Sequence, residues 1–233
     1  MVVFYHKKGK ITTNFLINNE KEYQKTNKDK INFYTNNIIL YNKYKDNNNI
    51  YLRTPRIINN NNYINANLLT NDIGIIFSNK TNNIISDIYS NVTNIYTVEY
   101  LHSLGINKVG ISPELTLEEI NNLYKNYINT FNQKPNIEIF IYGYLELMLL
   151  KHCILKENIN KDKICTICNN NTKYYLEDRN KEKYNIKPTK CGNIIYHYKK
   201  INHLNNIQNT KGMNYYISLI NIYNYNELAN ILK

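Results

Sequence analysis

The stretch that most constrains the fold runs from Lys108 to Gly143. Lys108 to Ser112 reads as a short strand. Thr116-Leu-Glu-Glu119 then spells a capping box, in which a threonine and a glutamate three residues apart satisfy each other's backbone donors at a helix start. Leu117, Ile120, Leu123, Tyr127 and Ile128 repeat at helical spacing to about Thr130. Next, Ile137-Glu-Ile-Phe-Ile-Tyr-Gly143 alternates as a strand, with Ile137, Ile139 and Ile141 on one face and Glu138, Phe140 and Tyr142 on the other. Strand, helix and strand at this spacing form a βαβ unit around a parallel sheet.

The flanking sequence repeats the theme less clearly. Ile95, Val98, Leu101 and Leu104 predict a helix from Val92 to Leu104, with Gly105 at its C′ position. Tyr144 to Leu150 reads as another apolar helix. Upstream, Ile38 to Tyr41, Asn49 to Ile57, Ile73 to Ser78 and Ile84 to Tyr89 are β-rich runs separated by Asn-rich turns. The expected fold class is therefore α/β: a partial (β/α) TIM-like barrel over 38–150, after a weakly patterned segment 1–37. A cysteine-bearing irregular region, 151–205, follows, and 206–233 holds a strand and short helix between Tyr215 and Leu232. An incomplete ring leaves an open edge, so a protein partner or a second copy completing the barrel is expected.

The 233 residues are enough for one substantial core. The most apolar stretch, Ile137 to Leu150, is broken by Glu138 and Glu146, and Met1 to Lys10 lacks the apolar centre of a secretory signal. A cytoplasmic protein without membrane contact is expected. The net charge of +11 favours acidic partners such as RNA or DNA. One residue in five is asparagine and 23 are tyrosine, as expected of A+T-rich codons, so much of the lysine excess is compositional. The three arginines carry more information, because lysine cannot copy the bidentate guanidinium. Arg53 and Arg56, bracketing Pro55 at a strand end, are candidate substrate-binding residues for an anion, with plain surface charge as the alternative.

All four cysteines lie in the C-terminal half: Cys153, the pair Cys165-Thr-Ile-Cys168, and Cys191. Disulfides do not persist in a reducing compartment, so four cysteines in so short a window point to metal ligation. Four thiolates suit tetrahedral zinc or an iron-sulfur cluster equally well, and the spacing does not choose between them. A thioredoxin-type redox pair is disfavoured by the loop-like surroundings. His152 adjoins Cys153 and is a candidate hydrogen-bond donor to its sulfur, or an alternative ligand, unless it is simply solvent-exposed.

Glu114 follows one strand and precedes the capped helix, which places it on the C-terminal face of the sheet, where parallel β/α folds carry their active sites. It is a catalytic candidate as base or substrate-orienting carboxylate, against a plain interaction with the helix N-terminus. Tyr142 ends the next strand on the same face and is the second catalytic candidate, against ordinary packing. Asp178 and Arg179, after the strand-like Tyr174-Tyr-Leu176, are candidates for binding a phosphate or carboxylate, or for pairing with each other. No HExxH helix, GxSxG elbow, P-loop or GxGxxG fingerprint is present.

Several segments in succession resemble the collagenase-like peptidase family U32. These are Gly105-Ile-Asn-Lys-Val-Gly-Ile-Ser-Pro-Glu-Leu-Thr-Leu-Glu-Glu-Ile120, Ile137 to Gly143 with Leu147-Met148, Lys151-His-Cys153, Cys165-x-x-Cys168, Tyr175-Leu-Glu-Asp-Arg179 and Cys191. Arg53 to Ile57 extends the likeness upstream. The resemblance implies a (β/α) barrel whose four cysteines ligate a four-iron four-sulfur cluster, with zinc as the alternative. It implies either a part in hydroxylating a tRNA or rRNA base or a metal-dependent peptidase activity. A third possibility is a non-catalytic remnant stapled by its metal, since the chain looks shortened at the front of the barrel.

Overall fold

The computed structural model describes residues 13–25, 31–47, 49–56, 66–78, 83–159, 173–189, 192–210 and 212–221. The elements run β1 (Thr13–Ile17), α1 (Glu20–Lys25), β2 (Ile31–Thr35), α2 (Ile38–Tyr44), β3 (Ile50–Arg53), β4 (Leu68–Thr70), α3 (Ile73–Ser78), β5 (Ile84–Ser86), α4 (Ile95–Ser103), β6 (Lys108–Gly110), α5 (Leu117–Phe131) and β7 (Ile137–Gly143). They continue as β8 (Glu146–Leu150), α6 (Ile154–Ile159), β9 (Tyr174–Glu177), β10 (Lys183–Thr189), β11 (Gly192–Tyr196), β12 (Ile201–Asn202) and β13 (Asn214–Ser218). Two compact units result. One comprises 1–143 with 202–233, and the other spans 144–201.

In the first unit β1 to β7 pair in order, every pair parallel, and β13 lies between β7 and β1. Eight strands thus close into a ring with helices between them, a TIM-like α/β barrel as expected in class but complete where the sequence predicts a partial one. Closure comes from two strands that local pattern does not reveal and from one, β13, whose place in the ring it does not give. β1 and β2 sit in the stretch read as weakly patterned, and β13 arrives from the far end of the chain. The open edge that motivated a completing partner is absent from this ring.

Alternation along each strand divides the barrel into two layers. Phe15, Phe33, Ile50, Leu52, Leu68, Ile84, Val109, Ile137, Ile139 and Ile217 join one buried apolar cluster with Leu40, Val98, Leu101, Ile120, Leu123 and Tyr127 from the helices. That layer between sheet and helices supplies most of the hydrophobic stabilisation. The capping box at Thr116 forms as expected, with Thr116 Oγ1 accepting from the Glu119 N–H and the Glu119 carboxylate accepting from the Thr116 N–H.

Three elements change type from the sequence reading, and the region 151–205 expected to be irregular carries α6 and strands β9 to β12. Ile38–Tyr44 and Ile73–Ser78 are helices, not strands: Asn37 Oδ1 caps the first by accepting from the N–H groups of Ile39 and Leu40, and Asp72 Oδ1 accepts from the Ile75 N–H in the second. Glu146–Leu150 is a strand, not a helix, because it pairs antiparallel with β11. In the second unit β8, β11, β10 and β9 form a four-stranded antiparallel sheet, with Ile186 and Ile195 packed on Leu155 of α6. Among the described residues no helix is long and apolar enough to cross a membrane. The helical end of the expected segment Tyr215–Leu232 lies outside the described residues.

Candidate functional site

At the C-terminal ends of β3, β4 and β5 the backbone assembles a compact polar cluster. Asp87 leaves β5 and caps a 3-10 turn, Ile88–Ser90, its backbone N–H donating to Thr70 O at 2.8 Å. Gly110 of β6 permits this approach, since a side-chain carbon there would lie 2.6 Å from the Ile88 nitrogen and from Ser86 O. Asp87 Oδ2 accepts from Arg53 Nε at 2.7 Å, and both side chains are almost wholly buried. The pair is close enough for a strong charge-assisted hydrogen bond, and it neutralises the Arg53 charge inside the barrel mouth. Tyr89, in the turn, lies under two guanidiniums: Arg53 Cζ is 5.3 Å and Arg56 Cζ 4.3 Å from its ring centre. Stacking of this kind orients a guanidinium, and Arg56 is half-buried beside the ring.

Deeper in the bore lies a second network. Glu138 accepts from Tyr34 Oη at 2.8 Å and from Asn14 Nδ2, while Lys108 Nζ stands 3.9 Å from the carboxylate and donates to Asn14 Oδ1 at 3.1 Å. Asn32 Nδ2 also donates to Asn14 Oδ1, at 2.9 Å. Burial pushes the Glu138 carboxyl up to about 7, against the pull of Lys108, Tyr34 and Asn14, and the charge of Asp87 adds to the rise. Burial also lowers Lys108 and raises the Tyr34 phenol well above its usual range. Tyr34, Tyr51, Tyr216 and Phe140 pack edge to face or tilted around this centre, with ring centres 5.4 to 5.8 Å apart. Among the described residues two buried basic groups, Lys108 and Arg53, therefore sit with two buried carboxyl groups, Glu138 and Asp87.

The structure separates the residues singled out from sequence. Arg53 and Arg56 meet at Tyr89, but Arg53 is locked to Asp87. Glu114 stands on the expected face, exposed, its N–H donating to Ser112 Oγ at 3.4 Å. Tyr142 is fully buried in the apolar layer. A bulge explains this placement: Phe140 pairs with Tyr216 and Tyr142 with the very next residue, Ile217, so β7 carries one extra residue there. Asp178 shapes the turn between β9 and β10, its Oδ1 accepting from the N–H groups of Asn180 and Glu182, and Arg179 is exposed beside it. His152 is exposed and pairs with Glu157 at 2.9 Å. Cys153 is half-buried, and its sulfur accepts from the Lys156 N–H at 3.4 Å. A half-buried cysteine sulfur is a donor of the type that a metal or cluster accepts. Cys165, Cys168 and Cys191 lie outside the described residues.

The family model for Peptidase family U32 matches residues 11–231, nearly the whole chain. The chain belongs to peptidase family U32. Among curated proteins, "tRNA hydroxylation protein P" of Escherichia coli (strain K12) is 32% identical over 123 residues, which is 50% of this chain and 24% of that protein. The alignment thus spans about a quarter of the curated relative's length. A solved structure titled as a U32 peptidase aligns with a TM-score of 0.48 at 7% identity, over 91% of this chain and 95% of that one.

Asp87, Tyr89, Asn14, Tyr34 and Lys108 of this U32 barrel were not singled out from sequence. One signal was available: Glu138 interrupts the isoleucines of β7 on the face opposite to them, and a carboxylate in a strand buried on both faces calls for partners inside the barrel.

Proposed function

We propose that this U32 protein takes part in hydroxylating a base of tRNA, and that Cys153, Cys165, Cys168 and Cys191 hold a four-iron four-sulfur cluster. The observation that carries the reading is the 32% identity to tRNA hydroxylation protein P. The four-cysteine framework and the net charge of +11 support it. The cluster, when bound, supplies one-electron transfer. In this reading Arg56, stacked on Tyr89, receives a phosphate of the substrate nucleotide, and the Arg53–Asp87 pair holds the Tyr89 turn in place.

The deciding experiment is mass spectrometry of tRNA nucleosides from a strain lacking the gene, complemented with the wild type, Arg56→Ala or Cys165→Ser. Loss of a hydroxynucleoside in the deletion strain, restored by the wild type alone, is the expected result. An unchanged nucleoside profile on deletion overturns the proposal. Anaerobically purified protein is expected to contain iron and acid-labile sulfide in similar amounts, whereas stoichiometric zinc with neither removes the cluster. Hydrolysis of denatured collagen or casein, abolished by Glu114→Ala, would instead favour the peptidase reading.

A further inference from the structure

The positive charge is unevenly spread. Residues Tyr144–Ile201, which form the second compact unit, carry twelve Lys and Arg against six Asp and Glu, so this quarter of the chain holds +6 of the total +11. Within that unit an aromatic group reaches from the apolar cluster, against which Tyr184 packs, to the surface at Tyr198. The rings of His197 and Tyr198 are stacked with centres 4.7 Å apart and planes 23° apart, and Tyr184 meets both, at 6.3 Å and 5.3 Å. Tyr198 is nonetheless 37% exposed.

The backbone holds this group firmly. The His197 N–H donates to Leu145 O at 2.8 Å, and the Lys199 N–H donates to His197 Nδ1 at 2.9 Å, which places the imidazole proton on Nε2 and fixes the ring under Tyr198. Tyr184 Oη donates to Asp178 Oδ2 at 3.3 Å, bringing the β9–β10 turn beside the stack. That turn and the strand after it carry Arg179, Lys181 and Lys183, and the loop after Tyr198 carries Lys199, all four of them exposed. Three acids lie nearby: Asp178 is held by its turn, Glu177 makes a loose surface pair with Lys183 at 3.9 Å, and half-buried Glu182 ends the turn close enough for its charge to act on Tyr184.

We propose that Tyr198, stacked on His197, is a platform for an unpaired base of RNA, with Lys199 and Arg179 taking the flanking phosphates. A pre-stacked exposed ring ringed by cations is what single-stranded nucleic acid uses: the base covers the free aromatic face and the backbone follows the charge. The proposal deepens the RNA reading given above and rests on it for the choice of RNA.

The test is fluorescence anisotropy of the full-length protein with a labelled oligouridylate of about 12 nucleotides and with the equivalent duplex. Tyr198→Ala is expected to weaken single-strand binding about tenfold, in line with one lost base stack, while Tyr198→Phe keeps the ring face and binds within about threefold of wild type. Lys199→Ala is expected to reduce the logarithmic salt slope by about 0.7, the value for one phosphate on a single strand. Equal melting temperatures of the variants separate binding from folding. Wild-type protein that binds no single strand, or Tyr198→Ala that binds as wild type does, overturns the platform. The nucleoside profile of the deletion strain is a separate measurement, so hydroxylation and the platform fail independently.

Discussion

Glu138 offers the sharpest quantitative check on the buried network. Its carboxyl is 1% exposed inside the barrel, and burial raises it from an ordinary 4.5 to about 7. Between those values the folded chain holds a proton that the unfolded chain has released, so the folded state loses stability as pH rises through the window. At about 1.4 kcal/mol per tenfold, the full displacement amounts to on the order of 3 kcal/mol. Lys108 acts with the opposite sign. Its depressed pKa adds stability as pH climbs through the folded value toward 10.5. Glu138→Gln keeps the shape of the protonated carboxyl and cannot ionise. Urea unfolding of both proteins should therefore give similar stabilities near pH ~4.5, with the variant gaining on the wild type by up to about 3 kcal/mol as pH approaches ~8. Titration of groups outside this network cancels in that difference, whereas Lys108, whose charge interacts with Glu138, contributes to it. A difference constant within about 0.5 kcal/mol across the range, or one that falls with pH, refutes the claim that this carboxyl is buried as described.

Removing Asp87 leaves a buried guanidinium without its carboxylate, so Asp87→Ala should lower stability by about 3–5 kcal/mol in urea titrations, and an apolar replacement of both Arg53 and Asp87 should recover much of that loss. Gly143 has φ +130, and a side-chain carbon there would sit 2.7 Å from Ser218 O, so Gly143→Ala is expected to cost about 1–3 kcal/mol, read as a fall in Tm. Thr116→Ala removes one half of the capping box and should cost about 1 kcal/mol by the same measurement.

How much was legible in the sequence depended on the range of the interaction. α5 was readable because its cap and its apolar stripe lie within the same short stretch, and β7 because alternation has a period of two residues. α2 was misread because Ile38-Ile39-Leu40-Tyr41 has strand composition, and only the Asn37 cap and the packing of Leu40 and Tyr41 make it a helix. β8 was misread for the opposite reason: Leu147-Met148-Leu149-Leu150 are good helix formers, drawn into a strand by β11 more than forty residues away. Of the proposed site residues, Arg53 and Arg56 were visible as rare arginines at a strand end. Their division of labour was not, since it depends on Asp87 and Tyr89, which approach them only when β3, β4 and β5 align.

The amino-acid order alone established the family, the βαβ rhythm and the four-cysteine framework, because each is written in neighbouring residues or in spacing. Folding in three dimensions decided the closure of the ring by β1, β2 and β13, and the meeting of Asn14, Lys108, Glu138 and Tyr34 in its bore. Those contacts join residues up to about two hundred positions apart, as in the bond from Asn14 to Tyr215 O. A local pattern carries no record of such partners, because the burial that makes their charges interact exists only once the strands have closed.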